Sequence, residues 1–231
     1  MSEIFRIYFA GDLFNHKDLV GNLLLAEAIE KHSAGRFVCV LPQNLEQTSG
    51  RSIDIRNQDL FEVICADLVL LNFDGSDLDS GTVVEFMFAK ALDIPVVVLR
   101  TDFRSSGDQS RGGDPWNLMC SGYPRTEVFT LNGMAWYQEA FRASSSTSVV
   151  LETLYAKLAV EVIERLESVL QSKPIVPSDE LRLAELYRWA LAYAGNGLEE
   201  WLTEEELLQM LAKKERKALS KLFFMLVRRL K

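Results

Sequence analysis

Residues 67–99 read DLVLLNFDGSDLDSGTVVEFMFAKALDIPVVVL, and this stretch decides the fold. Asp67 to Phe73 is a continuous apolar run, typical of a strand covered on both faces. Ile94 to Leu99 is a second such run. Between them a polar loop, Asp74 to Ser80, leads into a helical stretch from about Gly81 to Leu92. Strand, helix and strand at this spacing form a βαβ unit, so the strands are parallel and the crossover right-handed.

The same alternation extends to both sides. Glu3 to Ala10 alternates as a first strand and ends in Gly11-Asp12, and His16 to Lys31 has a helix period through Leu19, Leu23, Leu24, Ala26 and Ile29. Arg36 to Leu41 is a second strand stopped by Pro42, Asp54 to Ala66 a helix, and Glu127 to Leu131 a short fifth strand. Beyond Thr147 only helical patterns follow: Val149 to Leu170, Asp179 to Ala194 with Ser178 as its N-cap, Thr203 to Leu211, and Glu215 to Leu230. The expected plan is an α/β domain over residues 1–147 and a helical extension over 148–231.

Composition narrows the function classes. The chain has 231 residues, 48% hydrophobic and 25% charged, with a net charge of −8. That balance is globular, and its sign argues against a nucleic-acid binder. No apolar run approaches the ~18 residues of a membrane helix, and Met1 to Arg6 carries no basic-then-apolar leader, so no membrane contact and a cytoplasmic location are expected. Cys39, Cys65 and Cys120 are far apart and read as reduced core thiols, without metal-ligand spacing. Leu208 to Lys231 carries eight basic residues and one acid, a run that reads as the solvated face of a helix or as a grip for an acidic partner.

In an open parallel sheet ligands bind beyond the carboxyl ends of the strands. The loops there are rich in acids and small residues: Gly11-Asp12-Leu13-Phe14-Asn15 after strand one, Asp74 to Ser80 after strand three, and Thr101 to Met119 after strand four. Glu85 falls near the start of its helix, where the backbone dipole favours an ionised carboxylate. It reads either as a nucleophile or base, or as a helix-capping acid with Ser80 and Thr82 as further cap candidates. Asp74, Asp77 and Asp79 could chelate a cation, though loop acids alone are a weak signal. Gly11 stands without GxGxxG and no GxxxxGK[ST] is present, so neither phosphate-binding fingerprint applies. His16 and His32 read as surface helix residues. Carboxylates are the best catalytic candidates and suit glycosidic chemistry.

Five short motifs, in order, resemble the nucleoside 2-deoxyribosyltransferases: Tyr8-Phe9-Ala10-Gly11 with Phe14; Asp54-Ile55-Arg56 with Asp59; Ala66-Asp67; Asp79-Ser80-Gly81-Thr82 with Glu85; and Pro115-Trp116-Asn117-Leu118-Met119. The resemblance covers roughly residues 4–131. It implies a flavodoxin-like five-stranded parallel sheet with helices on both faces, to which this chain adds a C-terminal all-α extension. It also implies no metal and no cofactor, and exchange of the base of a 2'-deoxynucleoside through a covalent deoxyribosyl ester. Its substrates would be a nucleoside and a free base. Glu85 matches the nucleophile and Tyr8 the phenol that orients it. Asp59 and Asp79 match acids that contact the base or move its proton. Gly11, Phe14 and Gly81 match pocket residues, Phe14 as an aromatic wall. Asn117 and Met119 match residues lent by a neighbouring subunit, implying a homo-oligomer with shared sites. One departure is Met87, where the family usually has glycine two residues after the nucleophile.

Two other readings stay open. A 2'-deoxynucleoside 5'-monophosphate N-glycoside hydrolase would share the glutamate, but Asp12 stands where a phosphate would need a cationic or small polar loop. A nucleoside- or nucleotide-sensing module would bind ligand and turn nothing over.

Overall fold

The computed structural model of the chain describes residues 3–45, 52–104, 112–144, 146–176 and 180–229, with side chains described to Lys217. Five strands, β1 (Phe5–Ala10), β2 (Phe37–Val40), β3 (Leu68–Asn72), β4 (Val96–Arg100) and β5 (Thr126–Thr130), form one parallel sheet of order β2-β1-β3-β4-β5. This is the flavodoxin-like order, and it places the switch point between β1 and β3. There Tyr8 pairs with Val69 and Ala10 with Leu71.

Alternation along each strand divides the core into two layers. Tyr8, Ala10, Val69, Leu71, Val96 and Val98 point to one face, under α2 (Ser52–Cys65) and α3 (Ser80–Ala91). Phe5, Ile7, Phe9, Leu68, Leu70, Val97 and Leu99 point to the other, under α1 (His16–His32). The unbroken apolar run at 68–71 thus feeds both layers, which is why it does not alternate.

The helices beyond residue 147 cover this same sheet. After α4 (Gly133–Ala143), helix α5 (Thr147–Val169) lies beside α1 and places Leu158, Ala159, Val162 and Leu166 in the second layer. Helices α6 (Glu180–Ala194) and α7 (Glu204–Arg229) add Ala184, Tyr187, Leu191, Leu207 and Leu211 to the first. Helices before and after residue 147 therefore share one core with the sheet.

The structure differs from the sequence reading in three places. Helix α4 was not expected; Asn132 caps it by accepting the Ala135 N–H at 2.9 Å, and it packs on α5. The two expected C-terminal helices are one, because Ala212, Lys213 and Lys214 between them are all good helix formers. The basic run is also more than a solvated face. The Lys214 ammonium donates to the carbonyls of Ile64, at 2.8 Å, and Ala66 at the end of α2, while Lys217 pairs with Asp67 at 2.5 Å. Ser178, expected as an N-cap, lies outside the described residues, as does 105–111 within the Thr101 to Met119 loop. Among the described residues no helix is long and apolar enough to cross a membrane. All three cysteines are free thiols, Cys120 buried and the others partly so.

Candidate active site

Tyr8 is fully buried in the middle of β1, and its hydroxyl donates to Glu85 Oε1 at 2.6 Å. A bond this short between a phenol and a carboxylate is of the charge-assisted kind, which favours the ionised acid. Burial acts the other way and is stronger. It pushes the Glu85 carboxyl up to about 8, with the charges of Asp59 and Asp79 adding to the rise and the Tyr8 bond opposing it. Asp59, on α2, is pushed up to about 6 by burial and then by Glu62. The Tyr8 phenol is raised well above its ordinary value, by burial first and by Glu85 and Asp59 next. A nucleophile candidate, a phenol and a second carboxyl therefore act on one another in a single half-buried cluster.

The capping role falls to Asp79 rather than to Ser80, Thr82 or Glu85. Asp79 Oδ2 accepts the Thr82 N–H at 2.7 Å and the Thr82 hydroxyl at 3.0 Å. Glu85, at the sixth position of α3, is left for Tyr8. A β-carbon on Gly81 would stand 3.0 Å from that same Asp79 oxygen, so glycine leaves room for the cap to fold back. A β-carbon on Gly11 would meet the Asn72 β-carbon at 3.1 Å, where the loop after β1 crosses the end of β3. Met87 is 39% exposed, so the departure from glycine at that position is absorbed by solvent.

Asp74 serves the loops themselves. Its carboxylate accepts the backbone N–H groups of Thr101 at 2.5 Å and Asp102 at 2.8 Å, and the Thr101 hydroxyl at 2.6 Å. The buried Arg100 answers from β4, donating to the carbonyls of Phe73, Gly75 (3.0 Å) and Arg104 (3.1 Å). This stitching of two loops was missed in the sequence; an arginine closing an apolar strand was its only signal. Among the described residues no group of three or more His, Cys, Asp or Glu is placed to hold a metal.

Above the site the mouth is acidic. Asp12 is raised by its partial burial and by Asp79, Asp18 and Asp74 in turn. The Asn15 side chain caps α1, accepting the Lys17 N–H at 2.9 Å and, at 3.4 Å, that of Asp18. Phe14, expected as a pocket wall, is 75% exposed. Asn117 and Met119 are also exposed, and the Asn117 side chain accepts the Met119 N–H at 2.8 Å. Trp116 instead turns inward against Phe73.

Residues 7–119 match the model of the nucleoside 2-deoxyribosyltransferase family. Similar solved structures include a conserved protein from Enterococcus faecalis, 23% identical, covering 71% of this chain and 98% of that one with a TM-score of 0.44. A 2-deoxyribosyltransferase from Leishmania mexicana is 22% identical, covering 58% and 97%, with a TM-score of 0.44. A CMP N-glycosidase from Clostridium botulinum is 11% identical, covering 60% and 99%, with a TM-score of 0.35. No curated protein matches the chain. The matched segment contains Tyr8, Asp59, Asp79 and Glu85 together, so the part of the chain that carries the cluster, residues 7–119, is the part similar to the nucleoside 2-deoxyribosyltransferases.

Proposed function

We propose that the protein exchanges the base of 2'-deoxynucleosides through an ester of the sugar with Glu85. The observation that carries this reading is the Tyr8 hydroxyl bonded at 2.6 Å to Glu85 Oε1 within a cluster that also feels Asp59. In the first step the other Glu85 oxygen bonds to the anomeric carbon as the N-glycosidic bond breaks. The bonding pair leaves with the base, which takes a proton from Asp59. In the second step a nitrogen of the incoming base attacks the same carbon, returns a proton to Asp59 and releases the carboxylate. Water in place of that base gives hydrolysis. Tyr8 orients Glu85 and stabilises its charge when the ester leaves. Asp79, whose one oxygen is occupied by Thr82, suits accepting a hydrogen bond from the base better than delivering a proton. Asn117 and Met119 are assigned to the site of a neighbouring subunit.

A free nucleoside fits this mouth better than a nucleotide. Asp79, Asp18 and Asp74 all act on Asp12 there. The N–H groups at the start of α1, the natural anchor for a phosphate, are occupied by Asn15. The test is incubation with deoxyinosine and adenine, followed by chromatography. Deoxyadenosine together with free hypoxanthine is the expected result. Hypoxanthine alone means a hydrolase, and turnover only of deoxyinosine 5'-monophosphate would overturn the free-nucleoside reading.

A further inference from the structure

Helix α2 is wedged between the site and the C-terminal hairpin. Arg56, Asn57, Leu60 and Phe61 occupy one of its faces, at the i, i+1, i+4, i+5 spacing. Asp59 lies about 200° around the helix from Asn57. On the hairpin side the Asn57 amide is buried and donates to the Asn196 carbonyl at 3.1 Å. Arg56 donates to the Ala194 carbonyl at 2.7 Å and also to Asn57 Oδ1, at 3.2 Å from its Nε. Phe61 packs on Trp201, with ring centroids 5.4 Å apart, and Leu60 joins the layer that holds Ala190, Leu191 and Leu198.

The turn that meets these residues is built to show its carbonyls. Gly195, Asn196 and Gly197 have φ of +64°, +56° and +82°, three left-handed residues in succession. Glycine and asparagine adopt that conformation most readily. The amide in the middle of α2 has the complementary peculiarity. Asparagine is a poor helix former, and a buried amide costs free energy unless it is bonded.

We infer that the α6–α7 hairpin is a clamp on α2 that holds Asp59 against Glu85, with Asn57 the positioning residue through which it acts. This rests on the roles given to Asp59 and Glu85 under the proposed function. The hairpin lies wholly beyond residue 119, where the family match ends. A part of the chain outside the family's common segment therefore completes the site.

The experiment uses the full chain with Asn57→Ala, Asp59→Asn, the double variant and Gly197→Ala. Gly197→Ala strains the turn from the far side without touching α2, and it serves if Asn57→Ala fails to fold. Two readouts are taken: amide hydrogen exchange over residues 52–65, and kcat with a good and a poor leaving base. Asn57→Ala is expected to speed exchange in α2 by about tenfold and to lower kcat by about tenfold, more for the poor leaving base, with KM little changed. The double variant should be no slower than Asp59→Asn alone, because both changes remove the same proton donor. Unchanged exchange in α2, or losses that simply multiply, would overturn the clamp. Asp59→Asn alone tests the reading of the site. If that variant turns over as wild type does, the role of Asp59 is lost, and exchange in α2 alone decides whether the hairpin clamps the helix.

Discussion

The Tyr8 hydroxyl and Glu85 Oε1 are 2.6 Å apart, although 77 residues separate them in the chain. The contact joins the middle of β1 to the second turn of α3 across the switch point of the sheet. Replacing Tyr8 by Phe removes a hydrogen bond that favours ionised Glu85. Turnover should fall about tenfold, and the pH at which activity appears should move upward. An unmoved pH profile would mean that Tyr8 packs without tuning the acid.

Glu85→Ala should lower base exchange by at least about 10³-fold while the circular dichroism spectrum stays native, because in the proposed mechanism Glu85 is the group that bonds to the sugar. With a slow, fluorinated deoxynucleoside, mass spectrometry of the wild type should find a sugar adduct on the peptide that contains Glu85. Full turnover in Glu85→Ala would remove the covalent mechanism.

The pH dependence follows from two carboxyls. Asp59 lies at about 6 and Glu85 at about 8, so between those values the pair holds one proton. In the proposed mechanism the productive arrangement has Glu85 ionised and Asp59 protonated, the minor of the two one-proton forms, and its share of the enzyme makes kcat/KM bell-shaped between about 6 and about 8. In Asp59→Asn the alkaline fall should disappear, and the rising limb should move to higher pH, because activity then follows the ionisation of Glu85 alone, which burial keeps high. Loss should be greater for a poor leaving base. Equal losses for all bases would make Asp59 a structural acid.

Stability carries the same signature with a definite sign. The folded-state carboxyl of Glu85 is raised from 4.5 to about 8, so between those values the folded protein keeps a proton that the unfolded chain has released. Wild-type stability from this group therefore falls as pH rises through that window and is constant above it. Glu85→Gln lacks this term. Its melting temperature should gain on the wild type from pH 5 to pH 8, and a constant difference would show that Glu85 is less buried than the structure has it.

The shared-site assignment is tested by complementation. Glu85→Ala and Asn117→Ala should each be weak alone. Co-expressed with different tags, they should recover a fraction of wild-type activity in mixed oligomers. Mixed oligomers without recovery would place Asn117 in its own chain's site or in none.

The sheet was legible because buried parallel strands are apolar on both faces. The runs 67–73 and 94–99 are too short for buried helices and too apolar for exposed segments, and the loops after them follow by topology. Helix α4 was overlooked although its period is present: Met134, Trp136, Tyr137, Ala140 and Phe141 share one side, opposite Gln138, Glu139 and Arg142, and of that side Met134, Tyr137 and Phe141 stay exposed. Among the candidate residues that the family pattern names, Tyr8 and Glu85 meet in space, and the charge of Asp59 acts on both. Phe14, Asn117 and Met119 were found the same way and lie on the surface of this chain. Spacing could not distinguish Asp79 from Ser80 as the cap, since both types cap well and only the folded loop decides. The inward lysines escaped because a basic helix end looks the same in sequence whether its ammonium groups meet water or the carbonyls of another helix.

The lysine anchors of α7 also bear on how the chain reaches this state. Tyr8, Leu71 and Val98 emerge early from the ribosome, yet residues from Ala184 to Leu211 complete the layer around them. Until those arrive, one side of the sheet is an open apolar surface. Closing it joins Lys214 and Lys217 to residues 64–67 across sequence separations of 148 to 150 positions. Such distant contacts form late and slowly. A nascent chain halted after α5 would be a sticky intermediate, prone to aggregate and dependent on chaperones, and synthesis of the last two helices is the step that releases it.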